Sequence, residues 1–208
     1  MALLENQSIG VFIDGGYYAK IDEGLEEVMQ SHTNLKGLLS FIPQKLEALE
    51  GIPRKRLIIT ECHFYKGRYR VNDASSKKLL YSERKFEDAL IENDVIFHYK
   101  HLREIKDKDG KVTGVIEKGI DTWFALDTYE LALYRDFDYV VLITGDADHE
   151  MLIRKLKALK AHVILLTWDP AGTNSTSPAL REEACTHIEI SKLMEENKDL
   201  YKYLTKKI

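Results

Sequence analysis

Gly-Val-Phe-Ile-Asp-Gly-Gly at residues 10–16 is the stretch that decides the fold. A short apolar run carries a carboxylate, Asp14, into a turn marked by two glycines, and a helical pattern begins directly afterwards. The same design recurs at residues 139–148, which read Tyr-Val-Val-Leu-Ile-Thr-Gly-Asp-Ala-Asp. Short apolar runs bounded by turns and followed by helices predict strands of a parallel α/β sheet. Ligands bind at the carboxyl ends of such strands, so both stretches predict a functional site at that edge.

Strands and helices are predicted to alternate along most of the chain. The predicted strands are residues 8–14, 56–65, 138–144, 162–168 and 187–190. The predicted helices are residues 16–30, 35–49, 74–91 with Asp73 as N-cap, 121–134, 149–159 and 178–184. Residues 95–105 and 111–117 flank an Asp-Lys-Asp-Gly turn and predict a β-hairpin at a sheet edge. This order predicts one α/β domain over residues 8–190 with a mainly parallel sheet, followed by a charged helix over residues 191–208.

Composition narrows the class of protein. The 208 residues are enough for one sizeable domain, and 30 Lys and Arg against 34 Asp and Glu give a formal net charge of −4. That balance argues against a protein that coats nucleic acid by bulk charge, but it is compatible with a local basic rim around an acidic site. No apolar stretch is long enough to span a membrane, and two cysteines predict neither a disulfide framework nor a Cys-based zinc site. We expect a cytoplasmic protein.

The carboxylates at the strand ends each have an ordinary structural explanation. Asp146 and Asp148 are good helix-start residues, and Asp121 stands where a helix dipole stabilises negative charge. Asp14 at the end of an apolar strand is harder to explain as surface decoration. Carboxylates gathered from distant parts of the chain repel one another unless a cation lies among them, so the pattern predicts a divalent metal in an acidic pocket.

The order of three motifs resembles a known family. A strand ending in Asp14 comes first, Lys-Gly-Ile-Asp at residues 118–121 opens a helix, and a strand ending in Thr-Gly-Asp-Ala-Asp follows at residues 144–148. This order resembles the NYN domain family, the LabA-like branch of the PIN-like nuclease superfamily, over roughly residues 8–168. The chain departs from the family pattern at Tyr17, where Asn is usual, and at His149, where an aromatic residue usually follows the last Asp.

The resemblance implies a Rossmann-like PIN-type fold and a Mg²⁺- or Mn²⁺-dependent ribonuclease. Asp14, Asp121 and Asp146 match the positions that hold the metal, and Asp148 matches a further acidic catalytic position. Asp127 matches an additional recurring acidic position. Hard oxygen ligands of this kind select Mg²⁺ or Mn²⁺ over softer metals.

RNA is the expected partner, and it needs a cationic path to the pocket. The predicted rim combines cations with an aromatic side chain that stacks on bases: Lys66, Arg68, Tyr69, Arg70 and Lys118. No membrane partner is expected, and a homo-oligomer is left open.

Two other readings of the sequence remain open. One is a non-catalytic NYN-like module with a degenerate site that binds nucleic acid or protein, for which Tyr17 is the main support. The other is a different α/β metal enzyme, such as a phosphatase or a nucleotide-sugar transferase. A phosphatase would need a second Asp two residues after Asp14, where this chain has Gly16. A nucleotide-sugar transferase would leave Asp14 and Asp121 without a role.

Overall fold

A computed structural model describes residues 5–72, 79–172 and 176–208. Within these residues the strands are β1 (Gln7–Asp14), β2 (Ser31–Thr33), β3 (Leu57–Arg68), β4 (Ile96–His101), β5 (Arg103–Lys106), β6 (Val112–Ile116), β7 (Tyr139–Ile143), β8 (His162–Thr167), β9 (Thr186–Glu189) and β10 (Thr205–Lys207). The helices are α1 (Gly15–Met29), α2 (Leu35–Glu50), α3 (Leu80–Ile91), α4 (Ile120–Arg135), α5 (Glu150–Ala158), α6 (Pro178–Glu183), α7 (Ile190–Glu196) and α8 (Lys198–Leu204).

The central sheet has six parallel strands in the order β4-β3-β1-β7-β8-β9. β1 lies near the middle and pairs with β3 on one side and with β7 on the other. Strands buried on both faces read as continuous apolar runs, which is why β1, β7 and β8 were predictable. The predicted α/β fold with a mainly parallel sheet flanked by helices is confirmed.

Alternate residues of β1 enter two separate cores. Ile9, Val11 and Ile13 pack on the face covered by α1 and α2. Phe12 faces the opposite way, into the core beneath α4 and α5. Both faces of the sheet are therefore covered by helices, and the carboxyl edge of the sheet is where polar side chains gather.

The predicted hairpin is confirmed in part. β5 and β6 pair antiparallel and form a hairpin over residues 103–116. The residues before it were wrongly assigned to the same hairpin strand, because β4 pairs parallel with β3 and is the edge strand of the main sheet. Phe97 and Tyr99 pack against the core on the α1 side, and this burial holds β4 in the sheet.

The predicted single helix over residues 191–208 is wrong. Asn197 has extended backbone angles (φ −134°, ψ 98°), and its side chain accepts a hydrogen bond from Asp199 N at 3.0 Å, so it ends α7 and begins α8. The chain then continues into β10, which pairs antiparallel with β2, a strand that the sequence analysis missed. Leu204 at the end of α8 is fully buried.

The predicted helix over residues 74–91 is seen as α3, and its expected start at Asp73 lies outside the described residues. Cys62 is buried and Cys185 exposed, and both are free thiols, as their number predicted. No helix in the described part of the chain combines the length and the apolar character that crossing a membrane requires.

Candidate active site

Asp14 is held rigidly at the carboxyl end of β1. It is the N-cap of α1, and its Oδ1 accepts hydrogen bonds from Gly16 N at 2.9 Å and Tyr17 N at 3.1 Å. Its Oδ2 accepts a third bond, 3.0 Å long, from the hydroxyl of Thr144. Only 7% of Asp14 is exposed. The capping role that sequence alone left open coexists with a fixed position at the strand edge.

Thr144 links Asp14 to the second acidic stretch. β1 and β7 pair in parallel with Ile13 opposite Ile143, so the next residues of both strands end side by side. The buried Thr144 hydroxyl donates to Asp14 and accepts from Asp146 N at 3.3 Å. One hydroxyl group thereby joins the Asp14 carboxylate to the backbone N–H of Asp146, which is far away in the sequence.

Asp146 and Asp148 belong to a single turn of 3-10 helix. Asp146 is the N-cap of this turn (Ala147–His149), and its Oδ1 accepts a bond from Asp148 N at 3.0 Å. Both side chains are exposed to solvent at the carboxyl edge of the sheet. Each therefore keeps oxygen lone pairs for an external cation or a water molecule.

Asp121 completes the predicted set. It lies in the first turn of α4, after Gly119, whose φ of 80° turns the chain into the helix. Asp121 is exposed at the surface, but partial removal of its carboxyl from water raises the pKa, and the negative charge of Asp14 raises it further. The charges of Asp146 and Asp148 add smaller increases to this pKa. Asp14, Asp146 and Asp148 thus all lie within electrostatic range of Asp121.

Glu117 is a fifth carboxylate of the same site, and the sequence analysis passed over it as the end of the hairpin. Its Oε2 accepts a hydrogen bond from Gly67 N at the end of β3. Burial raises its pKa, as do the charges of Asp121 and Asp14, whereas the hydrogen bond from Gly67 and the charge of Lys66 lower it. No spacing rule pointed to Glu117, because its place depends on how the loop before α4 folds over β3.

His149, which follows the last Asp of the motif, is buried beneath the site. It is 1% exposed, and its ring lies 4.6 Å from the ring of Phe124. Its Nε2 is one of the buried side-chain atoms that have no hydrogen-bond partner among the described residues. Its proximity lowers the pKa of Asp121, against the larger upward effect of burial.

Asp127, the additional acidic candidate, faces another cluster. Its Oδ2 accepts a hydrogen bond from the Tyr65 hydroxyl at 3.5 Å and lies 3.9 Å from Nδ1 of His98. The rings of Tyr65 and His98 stack 4.3 Å apart, and Nδ1 of His63 lies 3.1 Å from Nε2 of His98. Six residues after Asp121, Asp127 lies on a different face of α4 and stabilises the packing of α4 on β3 and β4.

Tyr17 does not occupy the pocket. The side chain is 4% exposed and its hydroxyl accepts a hydrogen bond from Trp168 N at 3.1 Å. The same hydroxyl lies 3.3 Å from Oγ1 of Thr176. Tyr17 therefore braces the carboxyl end of β8 and the loop after it, while its backbone N–H serves Asp14.

The residues of the predicted cationic rim differ in their surroundings in the structure. Lys66 lies in β3 directly after its buried residues and is close enough to lower the pKa of Glu117. Lys118 is exposed and follows Glu117 in the sequence. Arg68 is occupied internally, with one guanidinium nitrogen 2.9 Å from Glu87 and its carbon 5.3 Å from the centre of the Tyr99 ring. Tyr69 is half-buried and Arg70 is exposed.

The donor atoms fit a hard cation by their chemistry. Carboxylate oxygens are the ligands that Mg²⁺ and Mn²⁺ prefer. Removal from water raises the pKa values of Asp121 and Glu117 most, and the charges of neighbouring carboxylates raise them further. Across residues 5–72, 79–172 and 176–208, no three acidic, His or Cys side chains are arranged as a closed metal-binding group. Asp121 thus feels the charges of the other carboxylates, and the side chains of Asp121 and Asp146 are exposed, although Oδ1 of Asp146 also caps the turn through Asp148 N.

Replacing Asp121 with Asn is expected to stabilise the metal-free protein near neutral pH. Because its pKa is raised above the ordinary 3.8, the folded state keeps a proton that the unfolded chain has lost, so this group makes stability fall as pH rises. Asp121→Asn removes that penalty. With EDTA present, we expect Tm to rise by about 1–2 °C at pH 7, since water screens an exposed carboxylate.

Thermal unfolding at pH 4 and pH 7 checks this expectation. The gain should shrink at pH 4, because more of the Asp121 carboxyl is protonated there than at pH 7 and less negative charge remains to be removed. Asp88→Asn, which neutralises an exposed carboxylate of α3, is the matched control and should show no such pH dependence. A lower Tm for Asp121→Asn at pH 7 would contradict the electrostatic account.

Comparisons with known proteins agree with this architecture. Residues 8–191 match the family model described as NYN domain. The uncharacterized protein y4oD of Sinorhizobium fredii is 39% identical over 77 residues, which cover 37% of this chain and only 36% of that protein. A crystal structure of a protein of unknown function from Vibrio parahaemolyticus superposes with a TM-score of 0.59. It is 17% identical, and the match covers 91% of this chain and 96% of that one, which supports the fold.

Proposed function

We propose that this chain, which belongs to the NYN domain family and so to the PIN-like nuclease superfamily, is a Mg²⁺- or Mn²⁺-dependent ribonuclease. The observation that carries the proposal is the meeting of carboxylates from three distant segments at one sheet edge. The Thr144 hydroxyl joins the Asp14 carboxylate to the backbone of Asp146, and the charges of Asp14 and Asp146 both act on Asp121. Structural capping explains each carboxylate singly, but it does not explain why they meet.

The proposed metal site uses carboxylates with different freedom. Asp14 is fixed by three hydrogen bonds and would provide the rigid part of the site. Asp121 is exposed and would turn towards the ion, and Asp146, whose Oδ1 caps the 3-10 turn, would offer its Oδ2. The chemistry that such an ion supplies is Lewis-acid stabilisation of negative charge developing on the phosphate.

Other residues of the chain would orient the reacting groups. Asp148, whose backbone is fixed by Asp146, would accept a hydrogen bond from the attacking water and align it with the phosphorus atom. Glu117, whose pKa is raised, is suited to hold a proton near the leaving oxygen. In-line attack by water breaks the bond between phosphorus and the leaving oxygen, which takes up a proton.

The approach of RNA would follow the cations that remain free for phosphate. Lys66 and Lys118 flank Glu117, and the ammonium group of Lys100 lies against Gly119, so three cations surround the entrance next to α4. Phosphate contacts supply most of the affinity for a single strand, and they make it depend on salt. Arg68 would contribute little, because Glu87 holds its guanidinium.

The non-catalytic module remains the alternative function, but the position of the Tyr17 side chain does not support it. The side chain of Tyr17 packs on Trp168 away from the carboxylates, and its backbone supports Asp14 as any residue would. A binding module with an unused pocket would have no need to gather repelling carboxylates.

Cleavage of a panel of single- and double-stranded RNAs tests the proposal. The highly purified full chain is incubated with Mn²⁺, Mg²⁺ or EDTA, and RNA length is followed on denaturing gels. We expect shortening that requires metal and stops with EDTA. Intact RNA under every condition would favour the binding module, and metal-independent cutting would point to a contaminating nuclease.

A further inference from the structure

A groove lies along the amino-terminal half of β3, away from the active site at the carboxyl end of the strand. Its cavity of about 460 Å³ is lined by every residue from Leu57 to Cys62, which is the amino-terminal half of β3. Alternate residues of a strand point to opposite faces of its sheet, so six consecutive residues can line one cavity only along the edge of the strand. The wall of the groove is therefore backbone.

That backbone edge is not paired within the described sheet. β4 begins opposite His63 and pairs with β3 only as far as Arg68. The strand on the other side, β1, pairs with β3 from Leu57 onwards, so the amino-terminal half of β3 has one ladder partner where the carboxyl half has two. An exposed strand edge presents N–H and C=O groups that pair readily with another extended chain.

Helix α2 forms the opposite wall and contributes a further backbone acceptor. Lys36, Leu39, Ser40 and Pro43 line the groove from this helix. Pro43 lies inside α2 and has no N–H, so the carbonyl of Leu39 lacks its ordinary intrahelical donor. Both the orphan carbonyl and the proline belong to residues that face the groove.

The ends of the groove carry charge. Glu92 and Asp94 stand at the end where β4 begins, and Arg54 lies at the start of β3. The edge lies between α2 and the turn before β4. A single extended strand can reach it and would lie in line with β4.

We propose that this groove binds an extended peptide of a partner protein by strand addition to residues 57–62 of β3, with a basic side chain of the peptide at Glu92 and Asp94. Main-chain hydrogen bonds would provide affinity and the acidic end would select the peptide. The groove and the carboxylates lie at opposite ends of β3, so this binding does not depend on the proposed nuclease activity.

Selection from a displayed library of random linear heptapeptides on the immobilised full chain tests the inference. We expect enriched peptides rich in β-branched residues with Lys or Arg near one end. Their affinities are then measured by fluorescence anisotropy with the wild type and three variants. Ser40→Phe fills the groove from the surface of α2, Glu92→Lys reverses the charge at one end, and Glu27→Lys makes the same change on the exposed face of α1 as a control.

The expected pattern is specific to the groove. Ser40→Phe should weaken binding more than about tenfold, Glu92→Lys about fivefold, and Glu27→Lys not at all. Hydrogen exchange should slow at the amides of residues 57–62 when peptide is bound. The inference is overturned if no sequence is enriched, if both groove variants bind as the wild type does, or if the protected amides lie elsewhere.

Discussion

Asp146→Asn is expected to lower metal-dependent RNA cleavage about a thousandfold, with Asp14→Asn as damaging. Each change removes a negative charge and leaves a side chain of nearly the same shape. Asn is as good an N-cap as Asp, so both turns that these residues cap should persist. The loss of rate should therefore come from the missing charge.

Single-turnover cleavage of a labelled RNA at saturating Mn²⁺ measures this effect. Asp88→Asn, the same chemical change on the exposed face of α3, serves as the control and should cut at the wild-type rate. Circular dichroism and Tm confirm that each variant is folded. Equal rates for Asp146→Asn and the wild type would remove Asp146 from the catalytic machinery.

Gly15→Ala is expected to destabilise the fold by about 3 kcal/mol. Helix propensity alone predicts the reverse, since Ala exceeds Gly by about 1 kcal/mol in a helix. A Cβ on Gly15 would stand 2.5 Å from the Tyr65 carbonyl oxygen and 2.7 Å from Cβ of Lys66. Backbone and Cβ atoms cannot swing away as the end of a long side chain can, so the steric clash should outweigh propensity.

Urea unfolding gives the free energy directly, and the matching fall in Tm should be about 6–12 °C. Gly114→Ala is the control, because a Cβ there meets nothing within 4 Å and the change should stay within about 0.5 kcal/mol. A Gly15→Ala protein as stable as the wild type would mean that β1 and β3 can separate at little cost.

The sequence was most informative where burial is complete. β7 and the stretch of β1 from Ile9 to Ile13 are apolar and buried, so the ends of both strands, and with them Asp14 and Asp146, were located correctly. Asp121 was identified through the Lys-Gly-Ile-Asp motif, and the fold class followed from the alternation of elements. These features depend on local patterns and on the general geometry of parallel sheets.

The features that were missed depend on tertiary contacts. β2 is three residues long and is defined by its pairing with β10, which lies some 170 residues later. Glu117 joins the carboxylates only because Gly67 offers its N–H, and His149 is buried only because it packs on Phe124. Arg68 reads as a free cation until α3 brings Glu87 against it. No periodicity in the sequence encodes such pairings.

The hydroxyl that joins the two acidic stretches has a consequence for biosynthesis. Asp14 and Thr144 are separated by 130 residues, and β7 must emerge before it can dock beside β1. A growing chain therefore displays its first carboxylate long before the others exist. If the pocket cuts RNA, the protein stays harmless to the ribosome and messenger that make it until residues 144–148 have been translated and can dock beside β1.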